Sequence, residues 1–168
     1  DRLTRYCLDA ARRPHGRLGR PQRLDVDFGY QGTASVGDTV FVCSPMGIVI
    51  GLDAASGREE WRFDPQVADD AIPYGATCRG VAYYEVPDAS SDALCATRII
   101  WGTLDARLLA IDAETGQLCT DFGVNGQVNL EEGIGDTVPG WYAVTSAPTI
   151  VRGIAVIGAQ VRDGQAED

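Results

Sequence analysis

The chain has 168 residues, enough for one domain with a sizeable core, and 45% of them are hydrophobic against 23% charged. Its net charge of −10 argues against nucleic-acid binding, which needs a basic footprint. No run of about 18 apolar residues exists to span a bilayer, and no signal peptide shows at Asp1-Arg2-Leu3, so the chain reads as an internal piece or a mature fragment.

Residues 1–27 form a basic arm of uncertain structure. Arg2, Arg5, Arg12, Arg13, Arg17, Arg20 and Arg23 outweigh Asp1 and Asp9, which leaves an acidic body. The arm suits an anionic lipid or nucleic acid, or else it is a disordered or foreign end, since it has little apolar periodicity. Beyond it "TVFVCS" (39–44) alternates as a strand does. "IVIGLDAASGREEW" (48–61) then reads as a β-hairpin. Asp53 can bond turn amides, Gly57 can supply the positive φ, and Trp61 can pack the outgoing strand. "YGATCRGVAYY" (74–84) passes from a loop into a strand, and "RIIWGT" (98–103) is another strand.

"RLLAIDAETGQLCT" (107–120) repeats the hairpin 59 residues on, with Asp112 and Gly116 in the turn and Thr120 in the place of Trp61. A third unit opens with "APTIVRG" (147–153) and "IAVIGAQV" (154–161). Helical periodicity is nearly absent. Repeats of about 40–60 residues, each a four-stranded sheet, predict a β-propeller. Two units and the start of a third fit into 25–168, whereas a ring closes with about 4–8 blades. A β-sandwich is the alternative, but it leaves the repeat unexplained. Cys43, Cys78, Cys95 and Cys119 lack C-x-x-C spacing, which disfavours zinc. They are two disulfides in one of three connectivities, or else buried thiols.

The repeat "LDAASGREEW" resembles the tryptophan-docking motif of the eight-bladed quinoprotein dehydrogenases, which use pyrroloquinoline quinone (PQQ). "GDTVFVCSP", "LDAASGREEWRFDP", "TCRGVAYY", "RLLAIDAETGQLC", "DFGVNGQVNL" and "TSAPTIV" follow the order of the membrane-bound branch of glucose, polyol and quinate dehydrogenases. The similarity covers about residues 28–165. It implies an all-β chain of about two and a half blades of an eight-bladed propeller, with residues 28–168 as a partial quinoprotein domain. It also implies the periplasmic face of the bacterial inner membrane, a membrane anchor outside this chain, a sugar or polyol substrate, and ubiquinone as electron acceptor. PQQ would sit in the central funnel beside Ca²⁺ or Mg²⁺, the ion acting as a Lewis acid.

The same resemblance marks residues. Gln31 matches a polar side chain near the PQQ carboxylates, where an amide can donate; its plain alternative is a solvated loop amide. Arg79 matches the arginine of the family's Cys-Arg-Gly, and a planar, permanently charged guanidinium suits carboxylates. The alternative is a salt bridge between blades. Thr77-Cys78 excludes the vicinal disulfide of alcohol-oxidising relatives, so Cys78 is expected to be structural, with Cys43 as its partner. Gly75 stands where glucose-oxidising members often carry a histidine, which points away from glucose. Thr145 and Ser146 match a hydroxyl pair close to PQQ oxygens, or else form a turn before Pro148. Asp163 aligns with an acidic metal ligand, although Gly164 replaces the family's asparagine, and it otherwise is an exposed turn acid. The catalytic base and the other metal ligands are expected in later blades, leaving this piece inactive alone. The competing function is a non-catalytic propeller scaffold, which shares the D-A-x-T-G repeat but has no use for Cys78-Arg79-Gly80 or Thr145-Ser146.

Overall fold

The computed structural model describes residues 33–72 and 75–161. The first sheet is an antiparallel meander of β1 (Thr33–Val36), β2 (Thr39–Cys43), β3 (Val49–Asp53) and β4 (Glu59–Phe63), in that order. The second repeats the arrangement with β5 (Ala82–Glu85), β6 (Thr97–Gly102), β7 (Arg107–Asp112) and β8 (Gln127–Asn129). A third region holds β9 (Tyr142–Val144), β10 (Thr149–Val151), β11 (Ile154–Val156) and β12 (Ala159–Val161). There β10 pairs with β11 and β9 with β12. No α-helix occurs among the described residues, only a 3-10 turn at Asp69–Ala71.

Why these stretches are strands follows from what covers them. β6 sends Ile99 and Trp101 to one face and Ile100 to the other, because successive side chains alternate. On the first face they meet Phe41, Cys43 and Val49 of the first sheet. On the second, Ile100, Leu108 and Ala110 pack against Ile150, Ala155 and Ile157 of the third region. The second sheet is thus sandwiched, which is why β7 is an unbroken apolar run, Leu108 to Ile111 all buried. Face-to-face stacking of four-stranded meanders is the packing of propeller blades.

Trp61 locks the first two sheets. Its indole lies over Gly51 and Gly116, where an added Cβ would come within 2.5 and 2.8 Å of the ring. Its Nε1–H donates to the Ala113 carbonyl of the second turn at 3.1 Å. The aspartate-to-glycine turn of one unit is therefore the socket for the tryptophan of the other. Between the second sheet and the third region the close contact is Gly102 with Val144: a Cβ at 102 would sit 2.3 Å from Val144 Cγ1.

Two expected strands are reshaped. The second hairpin does not continue into a paired strand after its turn. Only an Ile111–Leu118 bridge forms, and β8 begins at Gln127 and takes the outer place beside β7. Cys119 is drawn to Cys95 by a disulfide, and the chain makes a loop before returning. The expected continuous strand 154–161 breaks at Ile157-Gly158 into β11 and β12, which pair with different partners. The four cysteines of the body pair as Cys43–Cys78 and Cys95–Cys119, so the thiol alternative does not hold.

Candidate functional site

Three inner strands approach one another, β1 contacting β5 and β5 contacting β10. The segment before β5 carries Arg79, and the segment before β10 carries Thr145 and Ser146. The ladders show that these lie at one end of the stack. Ala82 pairs with Ile100, so Gly102 stands two residues further along β6, toward Arg79. Gly102 is the residue on which Val144 packs, immediately before Thr145. The end of β2 reaches the same place, because Cys43 is bonded to Cys78.

Arg79 is exposed, between buried Cys78 and buried Gly80. Gly80 has φ 131, a conformation that favours glycine and bends the chain into β5. The guanidinium has no hydrogen-bond or ion-pair partner among the described residues. Most other described arginines are engaged. Arg58 meets Glu60, Arg62 meets Glu59, Arg98 meets Asp121, and Arg107 meets Asp105. Arg107 also donates to the Pro65 carbonyl at 2.8 Å, which cross-links the two sheets. The salt bridge between blades that was the alternative for Arg79 is thus made by none of the described acids.

Ser146 is committed locally. Its Oγ accepts from Gly158 N–H at 2.7 Å, while the Thr145 N–H donates to the Gly158 carbonyl at 3.2 Å. These bonds clip the approach of β10 to the break between β11 and β12. The hydroxyl proton of Ser146 and the side chain of Thr145 are left to serve an acceptor. Gly75 is exposed, and a Cβ there would meet nothing within 4 Å. Gln31 and Asp163 lie outside the described residues. Among the described residues no group of three or more His, Cys, Asp or Glu could hold a metal ion.

A guanidinium beside hydroxyl donors fits a small polyanion with several carboxylates. The residues present therefore suit PQQ chemically. A nearby cavity of about 520 Å³ is lined by Asp105, Arg107, Asn129, Glu131 and Glu132 and contains none of the predicted residues. Its one cation is already bound by Asp105, so it repels rather than collects carboxylates. The sequence did not reveal the Arg107 cross-link, since its partner Pro65 lies 42 residues away.

Stacked four-stranded meanders locked by a tryptophan define a propeller of the quinoprotein class. The profile of "PQQ: Glucose/ethanol/alcohol dehydrogenase, beta-propeller domain" matches residues 20–168, and the chain belongs to that family. It is 45% identical over 150 residues to the glycerol dehydrogenase large subunit of Gluconobacter thailandicus, covering 89% of this chain and 20% of that one. It is 38% identical to the quinate/shikimate dehydrogenase (quinone) of Acinetobacter baylyi, over 79% of this chain and 18% of the other. The quinohemoprotein alcohol dehydrogenase ADHIIG of Pseudomonas putida superposes with TM-score 0.58 at 30% identity, over 82% of this chain and 18% of that structure. The chain thus spans about a fifth of the length of these relatives.

Proposed function

We propose that this chain is part of a PQQ-dependent dehydrogenase that oxidises a polyol, sugar or cyclic hydroxy acid and passes the electrons to ubiquinone. The observation that carries this reading is Arg79, an exposed guanidinium with no acid on it among the described residues of a strongly acidic chain. Arg79 clamps a cofactor carboxylate, the Thr145 hydroxyl and the Ser146 proton donate to neighbouring oxygens, and Gln31 adds an amide. When bound, PQQ supplies a two-electron quinone whose electrophilicity a Ca²⁺ or Mg²⁺ ion raises. Asp163 is a proposed oxygen ligand of that ion.

This chain's own work is binding and orientation. Permanent charge on Arg79 fixes the anion at any physiological pH, and the hydroxyls add donors without adding charge. The general base that takes the substrate proton belongs to other blades, so the chain alone is inactive. Open space at Gly75, where glucose-oxidising members often carry histidine, favours a polyol or cyclic acid over glucose. Names of the relatives, which act on glycerol or quinate, agree with that choice. The enzyme works at the periplasmic face of the inner membrane, anchored by a segment outside this chain. The other reading, a non-catalytic scaffold, has no role for an exposed cation ringed by hydroxyls.

PQQ titration of the complete polypeptide with Ca²⁺ tests the reading. Replacing a charge-assisted fork contact of about 1.5–3 kcal/mol weakens binding roughly ten- to a hundredfold in Arg79→Ala. Arg79→Lys, which keeps charge without the fork, falls between. Undiminished affinity in Arg79→Ala removes Arg79 from the site.

A further inference from the structure

We infer that the Cys43–Cys78 disulfide is a positioning element that aims Arg79 into the cofactor site, an inference resting on the reading of Arg79 as a carboxylate clamp. Arg79 stands outside the sheet ladders, since the first paired residue of β5 is Ala82. Strand pairing therefore does not fix where the guanidinium points. Cys78, one residue earlier, is 4% exposed, and Cys43 is fully buried at the end of β2, where it pairs with Val49. The bridge ties the approach to β5 in the second sheet to the first sheet, across a sequence separation of 35.

In extended chain, neighbouring side chains point to opposite faces. Holding Cys78 inward, among Phe41, Ile99 and Trp101, turns Arg79 outward. A slip of one residue would reverse the two and bury the cation. Gly80, at φ 131, then lets the chain turn into β5 without disturbing that choice. The disulfide is the covalent device that keeps this register, and it acts on the cofactor through Arg79 rather than by touching it.

A double-mutant comparison in the complete polypeptide separates this role from general support of the fold. PQQ affinity is titrated for the native sequence, Cys43→Ser/Cys78→Ser, Arg79→Ala and the triple variant, with denaturant stability measured for each. Loss of the bridge weakens PQQ binding about tenfold when Arg79 is present and less than about twofold in the Arg79→Ala background. Equal losses in the two backgrounds, or no loss in either, overturn the positioning role while leaving Arg79 as a clamp. Undiminished binding by Arg79→Ala instead overturns the clamp itself. If the serine pair does not fold, Cys43→Ala/Cys78→Val, which keeps the buried site apolar, carries the same comparison.

Discussion

Asp53 and Asp112 occupy the same place in two copies of one motif, yet they carry different weight. Asp53 accepts from the Ser56 N–H at 2.7 Å and from the Ser56 hydroxyl, at the surface. These bonds, helped by Arg58, hold its carboxyl below the usual range against a small opposing effect of burial. A depressed folded pKa stabilises above the ordinary carboxylate pKa of about 4, and that contribution fades as pH falls through the folded value. Asp112 is buried and accepts from Thr115 N–H and Oγ–H, both at 2.8 Å, from Glu114 N–H at 3.1 Å, and from Cys95 N–H at 2.6 Å. The last bond holds a disulfide cysteine at φ 65. Asp112→Ala leaves buried donors unpaired and costs about 3 kcal/mol in urea unfolding. Asp53→Ala is milder, and its effect disappears in acid. The repeat makes both turns legible in sequence, because an Asx turn is local. It does not show that Asp112 also serves Cys95, 17 residues away.

At the level of strands and hairpins, glycine decides how closely the sheets approach. Gly102 of β6 lies under Val144, and Gly51 of β3 lies under Trp61. Gly102→Ala has to displace Val144, a buried side chain just before Thr145. Overpacking of this kind costs about 1–3 kcal/mol. It also shifts the hydroxyl pair, so PQQ affinity falls together with stability in a paired titration and urea melt. Gly75→Ala, whose new methyl meets nothing, leaves stability unchanged and serves as the control. The alternation of "TVFVCS", "VIGLD" and "RIIWG" is readable because each strand's burial follows its own period of two. The second hairpin is misread for a physical reason. "QLCT" alternates like a strand, but the Cys95 bond and the Arg98–Asp121 ion pair at 2.5 Å pull it away from β7. Neither partner is within reach of a local pattern.

For the molecule as a whole, the outstanding surface is one side of the third region. Val151, Ile154 and Val156 are exposed there, two of them more than half, on a hairpin whose other side packs on the second sheet. Ile154 is the most open of the three at 67%. Sheet faces of this kind are covered in a propeller by the next blade. The chain studied by itself self-associates through this face, and Ile154→Arg with Val156→Glu returns it toward a monomer in sedimentation experiments. An unchanged distribution of species assigns the association to another surface.

What the sequence determined by itself is everything with a short covalent reach. That includes the all-β class, the 59-residue repeat, the turns at Asp53 and Asp112, and the Cys78-Arg79-Gly80 and Thr145-Ser146 marks of the family. Tertiary structure alone decided which faces meet. It pairs Cys43 with Cys78 and Cys95 with Cys119, places the Trp61 indole on Gly116, and brings Thr145 to the end of the stack where Arg79 stands. It also leaves Arg79 without an acidic partner among the described residues, although acids outnumber bases 24 to 14 in the chain. Backbone periodicity is set by residues a few positions apart and is written in their order. Contacts between sheets join residues dozens of positions apart, and only the packing of whole faces selects them.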